Sequence, residues 1–119
     1  MEKILEQSLF FDFYGELLTP HQKAIYEDFV LNDLSLSEIA QDQQISRQGV
    51  YDIIKRCNKQ LEGYEAKLHL VDKFLKAKHK IKDIHQLAEA MTTHDLDEQF
   101  RMDCIRKIER LSIEILDEF

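Results

Sequence analysis

Two serines that read as helix starts, Ser35 and Ser46, constrain this chain more than any other feature. Ser35 is followed three residues later by Glu38, the reciprocal pairing in which each side chain satisfies a free backbone donor at a helix N-terminus. Leu36, Ile39 and Ala40 then share one face, and Ala40 is small enough for a second helix to cross closely. Ile45 fills the angle between the two helices, Ser46 caps the second, and Val50, Ile53 and Ile54 resume the apolar stripe. Residues 34–61 therefore read as a helix-turn-helix. The outer face of the second helix carries Ser46, Arg47, Gln48, Tyr51, Asp52, Lys55, Arg56 and Lys59, which are donors, acceptors and cations suited to base edges and phosphates.

Residues 18–61 resemble the region-four domain of bacterial sigma factors. The resemblance rests on Leu18-Thr19-Pro20, on Ser35 with Glu38-Ile39-Ala40, and on Ile45-Ser46, Val50 and Ile53 through Arg56. With its aromatic N-terminal helix, short length and acidic balance, the whole chain resembles the YlxM family of helix-turn-helix proteins. That resemblance implies a place in the signal recognition particle (SRP) pathway, inferred from gene position, and a regulatory role. Two features depart from the sigma pattern. Gln43 and Gln44 stand where such turns have an apolar residue and then glycine, so the turn must take a positive φ without one. Gly49 falls in the first turn of the recognition helix, at a cost of up to about 1 kcal/mol against alanine.

The fold class read from the sequence is all-α. One proline and three glycines among 119 residues leave little room for the turns of a β-rich fold, and an apolar fraction of 44% supports a core. The chain is expected to be one domain, 1–119, with a helix-turn-helix core at 18–62 and a helical extension at 63–119 that serves dimerisation. No apolar run approaches a membrane span and no leader is evident, so a cytoplasmic protein is expected. Cys57 and Cys104 both lie in apolar stripes, where a reduced, buried thiol is the expectation.

Charge opposes a simple DNA-binding reading. Twenty-three acidic residues outnumber sixteen basic ones, for a net charge of −7, and no third of the chain is positive. Residues 46–61 alone carry a local +3. A lone copy should therefore bind nucleic acid weakly at physiological salt.

Taken in order, residues 4–18 crowd Leu9, Phe10, Phe11, Phe13 and Tyr14 into a helix too apolar for one contact, so burial on two sides is expected, with Gly15 ending or loosening it. Thr19 caps a helix that starts at Pro20, ends near Asn32 and Asp33, and faces Ala24, Ile25, Phe29 and Val30 inward. His21 and Gln22 at its start read as solvated end residues or as a minor phosphate contact. Val50, Ile54, Cys57, Leu61, Tyr64, Leu68, Val71 and Leu75 alternate spacings of four and three, which predicts one long helix over 46 to about 76, weakest at Gly63. The lysine run 76–82 reads as the solvated end of that helix or as a nucleic-acid grip. Asp83 is then expected to cap a short helix bearing Ile84, Leu87, Ala88 and Met91. A turn follows at 92–95, with Thr93 or Asp95 as the next cap. The final helix, from Leu96 to about Asp117, presents Phe100, Cys104, Ile108, Leu111 and Ile115, widened by Ile105 and Leu116.

Nothing in the sequence suggests an enzyme. Glycines are too few for a phosphate-binding loop or nucleophile elbow, and His21, His69, His79, His85 and His94 show no metal-ligand spacing. No cofactor and no metal is expected. The expected partners are DNA, or SRP RNA, through the recognition helix, SRP components, and a second copy of the chain, with no membrane insertion. A regulator that binds DNA is the leading reading, and an adaptor that contacts SRP protein or RNA on a helix-turn-helix scaffold is the alternative.

Overall fold

A computed structural model describes residues 3–93 and 97–119. Among them are six α-helices, one 3-10 turn and no strand: α1 (Lys3–Tyr14), the turn Gly15–Leu17, α2 (Pro20–Val30), α3 (Leu36–Gln43), α4 (Arg47–Leu68), α5 (Leu70–Thr93) and α6 (Glu98–Glu118). Contacts group them into two units, Met1–Val71 and Asp72–Phe119.

The first unit is built on α4, against which α1, α2 and α3 all pack. Its centre is Tyr14, Ile25, Tyr26, Ile39, Val50, Cys57 and Leu61, each almost wholly removed from water. The helix α1 packs on α2 and on α4 through one side, burying Phe11 and Tyr14, and the expected burial on a second side is not seen, since Leu5 and Phe13 are exposed. It ends at Gly15, where an added Cβ would come within 2.9 Å of the Phe11 ring. Only hydrogen fits that approach. Thr19 caps α2 as expected, through a reciprocal pair: its hydroxyl accepts from the Gln22 amide at 3.2 Å and the Gln22 side chain accepts from the Thr19 amide at 3.1 Å.

Two further expectations for this unit need correction. Ala24 does not face inward but is exposed; Tyr26, one residue beyond Ile25, takes the buried position because its larger ring fills the space above α4 and its hydroxyl reaches Asn58. Gln22 is no solvated end residue either, since its amide also donates to Gln60 of α4 at 3.1 Å.

The larger correction lies at the end of α4. The helix passes through Gly63 and stops at Leu68, with His69 in the left-handed region at φ 56°. The heptad stripe is core as far as Leu61 and is then interrupted, with Leu68 48% exposed. The cause is tertiary. The Glu65 carboxylate accepts from the Val71 amide at 3.0 Å and from the Tyr14 hydroxyl at 2.5 Å, and that hydroxyl accepts from the Leu70 amide at 3.1 Å. Two amides that a continuous helix would pair with carbonyls four residues back are thereby capped as a new helix start.

In the second unit, α5 runs unbroken to Thr93, so Asp83 is not a cap and the lysine run lies inside the helix. Its lysines point different ways: Lys76 pairs with Asp72 at 3.0 Å, Lys80 reaches Glu114 of α6 at 3.8 Å, and Lys78 lies 5.7 Å from the centroid of the Phe74 ring. Such exposed pairs stabilise by only a few tenths of a kcal/mol. The cap of α6 is Asp97, whose carboxylate accepts from the Phe100 amide at 2.7 Å. Thr92 and Thr93 still belong to α5, so the expected turn does not begin at Thr92 and Thr93 is not the cap; the other expected cap, Asp95, and the expected helix start at Leu96 lie outside the described residues. Ala77 and Cys104 are the buried residues among those described in this unit, while Ile108, Leu111 and Ile115 are half-buried and Phe100, Ile105 and Leu116 exposed.

Candidate nucleic-acid interface

The turn between α3 and α4 forms as the sequence requires. Ser35 and Glu38 make the reciprocal cap, with both hydrogen bonds at 3.1 Å. These contacts hold the Glu38 carboxyl below the usual carboxylate range, because backbone and side-chain donation at Ser35 favours its ionised form. At the other end of α3, Gln44 adopts φ 57°, and the Ile45 amide closes back on the Ala40 carbonyl at 3.1 Å. This is the usual left-handed helix termination, made here by glutamine at about 1 kcal/mol where glycine would incur no such strain. Ser46 caps α4, its hydroxyl accepting from the Gly49 amide at 2.9 Å. A Cβ at Gly49 would press on that hydroxyl at 3.1 Å, which accounts for a glycine in the first turn.

Ser46, Arg47, Gln48, Tyr51, Asp52, Lys55, Arg56 and Lys59 are all exposed. Arg47, Tyr51, Lys55 and Lys59 form one row at spacings of four, and Gln48, Asp52 and Arg56 the adjacent row, so the structure brings these seven onto one face of α4, while Ser46 caps the helix ahead of them. Gln48 donates to Asp52 at 3.0 Å. Among the described residues, the four cations of this face make no salt bridge. A shallow depression of about 360 Å³ lies between Asp52, Lys55, Arg56 and Lys59.

The edge of this face, where it meets the core, is bolted down by polar contacts that the sequence reading missed. Asn58 Oδ1 accepts from Gln7 of α1 at 3.1 Å and from the Tyr26 hydroxyl of α2. One side chain thus fixes the rotation of α4 against two supporting helices. Beside it, Lys3, Gln7, Phe29, Leu36, Tyr51, Ile54, Lys55 and Asn58 line a groove of about 450 Å³. Lys3 adds a cation near the face from a different helix. No local pattern announces this, because Lys3 reaches the groove only through the packing of α1 on α4.

The chain matches, over residues 1–101, the family of helix-turn-helix proteins designated UPF0122, YlxM / p13 like. The chain belongs to this family. The UPF0122 protein of Geobacillus sp. strain WCH70 is 40% identical over 111 residues, covering 93% of this chain and 98% of the relative. That of Thermoanaerobacter sp. strain X514 is 38% identical over 115 residues, covering 94% and 98%. A shorter match, 50% over 84 residues, joins it to the UPF0122 protein of Acetivibrio thermocellus, covering 71% of this chain and 72% of the relative. The match to the UPF0122 family takes in the whole first unit and α5, so the helix-turn-helix and its supporting helices belong to the shared part.

Among the described residues, no three of His, Cys, Asp and Glu gather as metal ligands. His79 with Asp83 at 3.8 Å and His85 with Glu89 at 3.5 Å are exposed pairs one turn apart on α5, and His94 and Asp95 lie outside the described residues. Cys57 and Cys104 are free and buried, and burial pushes the Cys57 thiol up to about 11. No helix among the described residues is long and apolar enough to cross a membrane.

Proposed function

We propose that this UPF0122 protein is a cytoplasmic, non-enzymatic regulatory protein that binds DNA through α4, as a homodimer, within the SRP pathway that resemblance to the YlxM family implies. The observation that carries the reading is the face of α4. Arg47, Lys55, Arg56 and Lys59 stand exposed and free of salt bridges among the described residues, on a helix whose other side is buried through Val50, Cys57 and Leu61 and whose edge is held by Asn58. Cations with no internal partner lose no ion pair when they meet phosphate, and a rigid helix spends little entropy on docking. In this reading Arg47, Gln48, Tyr51 and Lys55 face bases, Arg56 and Lys59 face the backbone, and Ser46 and Asp52 position them. Gln48 and Asp52 are already paired at 3.0 Å, a pair that can present donor and acceptor to an adenine edge together.

The net charge of −7 supports a second reading, an adaptor that binds SRP protein or RNA and keeps the helix-turn-helix as scaffold. Selection from a random duplex pool at about 50 mM salt, with SRP RNA and the particle's GTPase offered as competitors, separates the two. Enrichment of one duplex sequence supports the DNA reading. Retention of the RNA or the GTPase with no enriched duplex overturns it in favour of the adaptor.

A further inference from the structure

The groove of about 450 Å³ beside Asn58 draws its walls from α1, α2, α3 and α4, all of them in the first unit. Sites for small molecules have volumes of about 300–1,000 Å³, so a ligand of modest size fits. The apolar part of the groove is Phe29, Leu36 and Ile54. Ile54 is buried and the other two are half-buried, and the Phe29 ring rests against that of Tyr26, with centroids 6.3 Å apart.

Three kinds of group line it besides. Lys3 and Lys55 bring ammonium groups from two helices; neither makes a salt bridge among the described residues, and no carboxylate is among the lining side chains. Tyr51 offers a ring that is 48% exposed. Gln7 and Asn58 share one hydrogen bond, Gln7 Nε2 donating to Asn58 Oδ1 at 3.1 Å, and that oxygen also accepts from the Tyr26 hydroxyl. Gln7 Oε1 and Asn58 Nδ2 are then an acceptor and a donor without a partner among the described residues, on side chains already held in place. A nucleotide has a counterpart for each: a base edge for the acceptor and donor, a base face for the ring, a phosphate for the cations.

We propose that this groove binds a nucleoside phosphate, its base edge at Gln7 and Asn58, its base face on Tyr51 and its phosphate between Lys3 and Lys55. A base inside a duplex is stacked and paired, so the ligand enters as a free nucleotide or as one nucleotide of an open strand. The inference goes beyond the duplex reading and does not rest on it, since Arg47, Gln48, Arg56 and Lys59 take no part. Tyr51 and Lys55 are common to both surfaces, which makes groove and duplex alternative uses of these two side chains.

The test is calorimetric titration of the full chain with nucleoside monophosphates carrying each of the common bases, a mixed-sequence single strand, the matching duplex, and inorganic phosphate alone. Tyr51→Ala is expected to weaken binding by about 5- to 150-fold, the range for loss of a base-stacking ring. Lys3→Glu, which sets a carboxylate beside the phosphate, should weaken it by at least about tenfold. Lys67→Glu reverses an exposed cation of α4 outside the groove and should leave binding unchanged. All these positions are at the surface, so unchanged melting confirms folding. Binding of the free monophosphates supports the site with a free nucleotide as ligand, and binding of the single strand alone supports it with a nucleotide of an open strand. Binding of the duplex and of neither single nucleotide nor strand overturns the site and leaves the duplex reading standing. Inorganic phosphate binding as well as the nucleotides reduces the groove to an anion contact and overturns the proposal, as does nucleotide binding that Tyr51→Ala and Lys3→Glu leave unchanged.

Discussion

The Tyr14 hydroxyl donates to the Glu65 carboxylate at 2.5 Å and accepts from the Leu70 amide at 3.1 Å, so a side chain at the end of α1 decides where α4 stops. Tyr14 is 1% exposed, and burial, the largest cause, together with the Glu65 contact raises its pKa above the ordinary phenol value. It is therefore neutral and able to donate throughout the physiological range.

Replacing Tyr14 by Phe keeps the ring and removes this bridge. The Leu70 amide loses its acceptor and Glu65 one donor, an expected loss of about 1–3 kcal/mol in unfolding free energy. Amide exchange at Leu70 and Val71 should quicken more than elsewhere in the first unit. Uniform exchange rates in parent and variant would show that the helix break is set by something other than Tyr14.

Gly15 and Gly63 should respond to alanine in opposite senses. A Cβ at Gly63 meets nothing within 4 Å, so Gly63→Ala is expected to stabilise by about 0.5–1 kcal/mol through helix propensity. Gly15→Ala drives a methyl into the Phe11 ring at 2.9 Å and should destabilise. Denaturant midpoints for the two variants check both signs.

Ala40 is 7% exposed where α3 crosses α4, and Leu at that position should cost about 1–3 kcal/mol by overpacking. Gln48→Ala removes one exposed contact to Asp52 and should leave the melting temperature nearly unchanged. Equal melting of the two variants would misplace the crossing.

Cys57 makes stability fall in alkali. Burial raises its thiol from an ordinary value near 9 to about 11, so the folded state holds a proton that the unfolded state has released. The stabilisation is present in full below about pH 9 and is lost as the pH rises through about 11. Tyr26, whose phenol is raised mainly by burial, acts in the same direction at still higher pH. Unfolding free energy measured from pH 8 to 11 should decline less steeply in Cys57→Ala than in the parent, and parallel curves would contradict this.

If α4 reads DNA, Arg47→Ala should weaken a selected sequence more than random duplex, by about 1–3 kcal/mol, since a contact to a base carries discrimination. Lys59→Ala should weaken all duplexes alike and reduce the slope of log affinity against log salt by about one unit. Titrations of both variants at several salt concentrations distinguish base from phosphate contact, and unchanged binding in both would remove α4 from the interface.

Local chemistry was legible in the residues themselves. Caps at Thr19, Ser35 and Ser46, the positive φ at Gln44, the end of α1 at Gly15 and the core stripe from Val50 to Leu61 all depend on interactions reaching no further than a helical turn or on apolar periodicity, and all were readable before any coordinates. So was the exposed face from Ser46 to Lys59, because residues opposite an apolar stripe must face away from it. Tertiary structure alone decided the rest. Nothing between Tyr64 and Leu75 marks His69 as a break; the unbroken heptad spacing argues against one, and only the arrival of Tyr14 beside Glu65 makes capping there cheaper than continuing the helix. Ala24 was expected inside and Tyr26 was passed over because spacing identifies a stripe but not which member of it finds Asn58 across the core. Lys3 joined the basic groove for the same reason: its position there is set by how α1 lies on α4, a relation between residues some fifty positions apart that no local rule contains.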